Sequence, residues 1–237
     1  MNPLSYIKNI FFPSRCVICD KVMPKDIILC KECSEERLTL PEKGARCDIC
    51  FMKLSDCCCG KRTYYNKITF PLKGTDKTKK AVYKIKYSSR LDKILPFSKL
   101  ILLALQERNM LESVDIITFI PMSKKSKRKR GFNQSEELAH ALSKLTGIIC
   151  NELLYKYFDT GSQHLVRGAI ARSGNLLGAY EPYKDKTDII KGKTILIVDD
   201  IMTTGNTFNE AAKTLLIFGA DKVYCASAII SEKYKKG

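Results

Sequence analysis

Two adjacent carboxylates, Asp199 and Asp200, separate an apolar run from a loop rich in hydroxyl groups. The apolar residues 194–198 predict a strand, and residues 207–218 predict a helix that ends before Gly219. Ligands of α/β sheets bind at the carboxyl ends of strands, so the aspartates are placed to accept hydrogen bonds from ribose hydroxyls. Backbone N–H groups, hydroxyls and a helix dipole suit the loop to a phosphate. The loop of this expected sugar-phosphate site consists of Thr203, Thr204, Gly205, Asn206 and Thr207.

Nine of the eleven cysteines lie between positions 16 and 59. Two Cys-x2-Cys pairs, ten residues apart, supply the four ligands of a tetrahedral zinc ion: Cys16, Cys19, Cys30 and Cys33. A second site is expected at Cys47, Cys50, Cys57 and Cys59, because three consecutive cysteines cannot all reach one ion, which leaves Cys58 spare. We expect structural Zn²⁺ that supplies much of the folding free energy of this segment. An iron–sulfur cluster and a redox disulfide are the alternatives.

The formal net charge is +16, and part of the excess is concentrated in one short segment. Between Ser123 and Gly131, which we expect to form a loop, there are six cations and no acid: Lys124, Lys125, Lys127, Arg128, Lys129 and Arg130. Cations interleaved with aromatic residues suit single-stranded DNA, and two stretches have this composition: Lys124 to Arg130 followed by Phe132, and Lys77 to Lys86 with Tyr83 and Tyr87. The alternative is a solvated lysine-rich face with the tyrosines in the core.

The remaining patterns predict the elements that position these groups. Residues 115–121 read as a buried strand of parallel-sheet type. Helices are predicted at 77–87, 92–107 and 133–145, and a further strand at 223–228. The fold class is therefore α/β with a parallel sheet, in a domain of residues 63–237 that follows a cysteine-rich module of residues 1–62.

Composition narrows the class of protein further. No run of 18 apolar residues occurs, which argues against a membrane span, and residues 4–12 predict a short amphipathic helix, not a signal peptide. We therefore expect a cytoplasmic protein whose cysteines stay reduced. Neither histidine is a strong candidate for catalysis, because His140 falls in a helical pattern and His164 in a loop.

The strand, acid pair and Thr-Thr-Gly-x-Thr loop at 198–207 resemble the phosphoribosyl pyrophosphate motif of the phosphoribosyltransferases. The likeness to one family within this group is carried by the cysteine-rich head and by three further stretches: residues 85–87, 130–136 and 163–180. Over essentially its whole length, the chain resembles the ComF family of competence proteins. The resemblance implies a type I phosphoribosyltransferase-like parallel sheet with helices on both faces, and an amino-terminal zinc-ribbon module.

The same resemblance implies roles for particular residues. Asp199 and Asp200 would be the catalytic pair and would bind the ribose hydroxyls directly or through Mg²⁺. The position of the pyrophosphate loop falls on Pro121, Met122, Ser123 and Lys124. The implied function is to bind phosphoribosyl pyrophosphate or a similar sugar phosphate and to handle single-stranded DNA during natural transformation. The alternatives are an active phosphoribosyltransferase with an unknown acceptor, and a zinc-dependent scaffold for a DNA-uptake or helicase partner.

Overall fold

The computed structural model describes residues 14–38, 46–52, 54, 57, 63–88, 91–156 and 178–231. Three expectations lie outside these residues: the helix at 4–12, the place of Cys58 and Cys59, and the loop with His164. Within the described ranges, no helix is long and apolar enough to cross a membrane.

The helices and strands alternate through most of the described chain. The helices are α1 (Lys31–Ser34), α2 (Asp76–Ser88), α3 (Ile94–Glu107), α4 (Lys124–Arg130), α5 (Gln134–Thr146), α6 (Thr187–Ile190) and α7 (Asn206–Ile217). The strands are β1 (Lys67–Thr69), β2 (Leu72–Gly74), β3 (Ile116–Phe119), β4 (Leu154–Lys156), β5 (Tyr180–Pro182), β6 (Thr194–Met202) and β7 (Lys222–Ser231). Short 3-10 turns occupy Leu91–Lys93 and Lys184–Lys186.

Five strands form one parallel sheet in the order β1-β7-β6-β3, and β2 also pairs with β7 beyond the end of β1. Side chains alternate across this sheet, as the two-residue period of a strand requires. Along β6, Leu196 and Val198 pack on one face with α2, α3 and α5, whereas Ile195 and Ile197 pack on the other with α7. Helices on both faces of a parallel sheet confirm the predicted fold class, and β4 and β5 form a separate antiparallel pair.

Two predictions for segments next to the acid pair were wrong. The segment after β3 is not a loop but the helix α4: the Ser123 side chain accepts a hydrogen bond from the Ser126 N–H at 3.2 Å, and Gly131 ends the helix at φ +83°. A capping serine and a left-handed glycine are the local signals for such a helix. Strand β6 also extends beyond Val198 to Met202, so Asp199 and Asp200 lie within it.

Helix α3 contacts both cysteine-rich segments, one near each of its ends. Before its first residue, the ammonium of buried Lys93 donates hydrogen bonds to the Val17 carbonyl and the Asp20 carboxylate, each at 2.7 Å. After its last residue, the Arg108 guanidinium lies 4.5 Å from the centre of the Phe51 ring. Both cysteine-rich segments therefore pack on the sheet domain, and the boundary after residue 62 stays a prediction.

Strand β2 lies unusually close to β7. A Cβ atom on Gly74 would stand 2.1 Å from the Ile230 carbonyl oxygen, well inside contact distance. Only glycine allows this approach, which holds the carboxyl end of β2 against the carboxyl end of β7.

Candidate functional site

The acid pair lies near the carboxyl end of β6, and each carboxylate is held by specific donors. One oxygen of Asp199, Oδ1, accepts hydrogen bonds from the Ser135 hydroxyl at 2.6 Å and from the Asp200 N–H at 2.9 Å. The Asp200 Oδ1 accepts from the Ile201 N–H at 2.7 Å. These bonds fix the orientation of both carboxylates before any ligand arrives.

The electrostatic environment of Asp199 favours a ligand that brings positive charge or hydrogen-bond donors. Burial and the neighbouring Asp200 carboxylate raise the pKa of Asp199 to about 8, although the Ser135 hydroxyl acts in the opposite direction. Two carboxylates this close resist ionising together. A divalent cation or a diol would relieve that repulsion, and carboxylate oxygens are the ligands that Mg²⁺ prefers. The donor set therefore fits Mg²⁺.

The predicted phosphate loop follows directly between β6 and α7. Gly205 adopts the left-handed conformation at φ +81°, which glycine reaches without strain, and it is the N-cap of the twelve-residue helix α7. The amino end of α7 thus opens toward the same edge of the sheet as the aspartates. The side chains of Thr203, Thr204, Asn206 and Thr207 are exposed. The structure brings together the loop residues that the sequence predicted and leaves their polar side chains open to solvent.

The turn after β3 forms a second wall of this site. The Ile120 N–H donates to the Val198 carbonyl at 3.0 Å, which holds the turn beside the residue that precedes Asp199. The Asn133 side chain donates to the Ile120 carbonyl at 3.0 Å and accepts from the Ser135 N–H at 3.1 Å. The segment Pro121–Lys124 therefore lies beside the acid pair.

Two residues near the acid pair were missed as site candidates. Ser135 belongs to the quoted 130–136 stretch, and the signal for its role is the N-cap asparagine two residues earlier, which starts α5 beside β6. The second is buried Tyr180 of β5, whose pKa is raised by burial and by the charges of Asp199 and Glu210. It also hydrogen-bonds with Thr207. Nothing in the sequence around Tyr180 places it there, because the contact depends on the packing of β5 against α7, where the Thr214 hydroxyl donates to the Tyr180 carbonyl at 3.3 Å.

The cations of α4 differ in their availability. Lys127 forms an ion pair with Glu136 at 2.9 Å, so it holds α4 against α5. Four others, Lys124, Lys125, Arg128 and Lys129, are exposed, and Arg130 is half-buried. Within the described part of the chain, these five form no ion pair. The predicted cationic surface is therefore present, and Lys127 is the one of the six cations that is paired with an acidic residue in the described part of the chain.

The predicted metal ligands meet in two groups. The sulfurs of Cys16, Cys19, Cys30 and Cys33 lie within 4.8 Å of one another, and so do those of Cys47, Cys50 and Cys57. The Cys19 and Cys30 sulfurs are 3.7 Å apart, and the Cys50 and Cys57 sulfurs are 3.6 Å apart. Zinc–sulfur bonds of about 2.3 Å in a tetrahedron separate the sulfurs by about 3.8 Å, so both groups fit Zn²⁺.

His140 is exposed, and its ring lies 6.1 Å from the Phe119 ring. Its exposure agrees with the prediction of a residue on the helix surface, although one side of the ring faces buried Phe119 of β3.

The chain matches one protein family and is similar to two named bacterial proteins. Residues 128–236 match the family of the phosphoribosyl transferase domain, a range that includes the acid pair, the loop and α7. The DNA utilization protein YhgH of Escherichia coli (strain K12) is 26% identical over 214 residues, covering 88% of this chain and 86% of the relative. The competence protein ComFC of Streptococcus pneumoniae (strain R6) is 32% identical over 111 residues, 46% of each chain.

Solved structures also align with part of the chain. The allosteric regulatory enzyme of purine biosynthesis aligns with a TM-score of 0.41 and 21% identity. That alignment covers 62% of this chain and 30% of the enzyme.

Proposed function

We propose that this chain, which carries a phosphoribosyltransferase domain, binds phosphoribosyl pyrophosphate and handles single-stranded DNA. The chain is a homologue of YhgH and ComFC, which are proteins of the ComF family. The observation that carries the proposal is the Asp199 carboxylate, which is oriented by Ser135 and Asp200 beside a loop of exposed hydroxyls. Folding of the sheet alone does not require both an oriented acid pair and a loop of exposed hydroxyls at the same edge.

In the proposed complex, the two ends of the sugar phosphate meet different chemistry. The Asp199 and Asp200 carboxylates accept hydrogen bonds from the two ribose hydroxyls. The Thr203 and Thr207 hydroxyls, with the N–H groups at the start of α7, donate to the 5-phosphate. Bound Mg²⁺ would neutralise charge between the carboxylates and the pyrophosphate. The turn at Pro121–Lys124 would then line the pyrophosphate side.

The DNA part of the proposal rests on α4 and on the names of the relatives, one a DNA utilization protein and one a competence protein. Five exposed cations lie on the seven residues of α4, and all but Lys127 are without an ion pair in the described ranges; such a surface attracts phosphates without reading bases. Half-buried Phe132 follows the helix and is the aromatic side chain closest in sequence to these cations.

Calorimetric titration tests the sugar-phosphate site. Phosphoribosyl pyrophosphate with Mg²⁺ is added to the zinc-loaded protein and to the variant Asp199→Asn/Asp200→Asn. We expect the variant to bind at least about tenfold more weakly, because each hydrogen bond to a charged group contributes about 1.5–3 kcal/mol. The matched control is Asp185→Asn/Asp188→Asn, whose side chains are 75% and 87% exposed. Absence of binding in the native protein would refute the site.

The DNA proposal is tested by the salt dependence of oligonucleotide affinity. Reversal of two exposed cations, Lys125→Glu/Lys129→Glu, is expected to weaken binding and to reduce the slope of log K against log salt by about 1.4. Among single variants, Lys127→Gln is expected to change the slope less than Lys125→Gln, since Lys127 is paired with Glu136. Equal effects of all cation changes would argue against α4 as the contact. Consumption of phosphoribosyl pyrophosphate in these mixtures would indicate an active transferase.

A further inference from the structure

Exposed cations lie on both sides of the acid pair along the carboxyl edge of the sheet. On one side, β3 ends beside β6 and leads into α4. On the other side, β2 ends at Gly74 beside Ser231 of β7, and α2 begins two residues later. Lys77 and Lys80 of α2 are exposed, and neither forms an ion pair within the described ranges.

The order of the strands sets the geometry of this edge. Because β2 pairs with β7, β7 with β6, and β6 with β3, the β6 edge lies between the two cationic helices. Three strand spacings of about 4.8 Å separate β2 from β3 by about 14 Å. A polyanion that contacts both α2 and α4 has to cross the carboxyl end of β6, where Asp199 and the loop at 203–207 lie.

The turn after β3 lies next to both expected ligands, the sugar phosphate and the nucleic acid. The turn at residues 121–123 lines the acid pair and leads directly into Lys124, the first residue of α4. The Ser123 hydroxyl is the N-cap of that helix, so the turn and the helix form one unit. A strand seated on α4 therefore lies next to the place where a pyrophosphate would sit, and two polyanions in one place repel each other as well as collide.

We propose that single-stranded nucleic acid passes across the carboxyl edge of β6 between α2 and α4, so that the strand and the sugar phosphate exclude each other. This inference rests on the proposed function. Nucleic acid and phosphoribosyl pyrophosphate are then alternative ligands of the carboxyl edge of β6. The concentration of either ligand regulates the fraction of protein that binds the other.

Competition is measured by fluorescence anisotropy of a labelled single-stranded oligonucleotide. Zinc-loaded protein is titrated into it with and without phosphoribosyl pyrophosphate and Mg²⁺, at matched ionic strength because single-strand binding depends on salt. At a sugar-phosphate concentration ten times its own dissociation constant, strict competition raises the apparent Kd for the oligonucleotide about elevenfold. The variant Asp199→Asn/Asp200→Asn is expected to lose this response.

The outcomes separate the inference from the proposed function. If both ligands bind and saturating sugar phosphate leaves the oligonucleotide affinity unchanged or increases it, the inference is overturned and the proposed function stands. If calorimetry detects no binding of phosphoribosyl pyrophosphate, or anisotropy no binding of the oligonucleotide, the proposed function fails and the inference fails with it.

The path of the strand is tested by charge reversal. We expect Lys77→Glu/Lys80→Glu on α2 to reduce the salt slope by about 1.4, as for two lost phosphate contacts. The control at the opposite edge is Lys191→Glu/Lys222→Glu: both lysines are exposed, lie near the amino ends of β6 and β7, and form ion pairs with Asp188 and Asp221. If the α2 variant behaves like this control, the strand does not cross β6.

Discussion

Asp20 provides the sharpest test of how the first cysteine group is joined to the sheet domain. It directly follows Cys19, and its carboxylate is paired with Lys84 of α2 at 2.6 Å and with buried Lys93 at 2.7 Å. Although burial opposes ionisation, the hydrogen bonds and charges of the two lysines lower the pKa of Asp20 to about 2. We therefore predict that Asp20→Asn strongly destabilises the folded protein at neutral pH.

The size of this effect follows from the pKa. A decrease from 3.8 to about 2 corresponds to about 2.5 kcal/mol of stability. Because the folded pKa lies below the ordinary value, this stabilisation is complete above pH 3.8 and is lost as the pH falls through 2. The Asp20→Asn substitution removes it at pH 7, because the amide oxygen that remains carries no negative charge to balance the Lys93 ammonium, which is 3% exposed. We expect a loss of about 2–3 kcal/mol.

The assay is urea unfolding at pH 7 with saturating zinc, analysed by linear extrapolation. The control is Asp26→Asn: Asp26 is exposed and, at φ +69°, shares the left-handed backbone of Asp20 at φ +65°. Asparagine tolerates that conformation at both positions, so backbone strain cancels. Equal losses for the two variants, or a loss below about 0.5 kcal/mol for Asp20→Asn, would refute the reasoning.

Three further predictions concern other parts of the chain. Cys16→Ser should lower bound zinc by about one equivalent by metal analysis, whereas Cys150→Ser, outside both cysteine groups, should leave it unchanged. Gly74→Ala should lower the free energy of unfolding in urea by about 2 kcal/mol or more, because its Cβ collides with backbone; a neutral result would contradict the close approach of β2. Ser135→Ala should weaken calorimetric binding of phosphoribosyl pyrophosphate about tenfold, through loss of the donor to Asp199, and unchanged affinity would exclude that role.

The acid pair and its loop were predictable because every part of the motif is local. An apolar strand, two acids, threonines and a glycine occur within residues 194–207, so their positions follow from one turn of the chain. The first cysteine group was predictable for a similar reason: two short turns fix four sulfurs. The parallel sheet followed from apolar runs such as residues 116–119, which are buried on both faces.

Features that depend on tertiary contacts were not predictable in the same way. Helix α4 has local capping signals at Ser123 and Gly131 but no apolar face, and its ion pair between Lys127 and Glu136 depends on where α5 lies. The role of Ser135 depends on the distance between α5 and β6, which no sequence pattern encodes. The same holds for Lys93, whose partners lie more than seventy residues earlier.

The proposed sugar-phosphate site at the carboxyl end of β6 is tested most directly by a crystal structure of the zinc-loaded protein with phosphoribosyl pyrophosphate and Mg²⁺. We expect the 5-phosphate within hydrogen-bonding distance of the loop at 203–207 and the ribose hydroxyls within hydrogen-bonding distance of Asp199 and Asp200. Density for the sugar phosphate at another place on the molecule, with the β6 edge left unoccupied at saturating ligand, would contradict it.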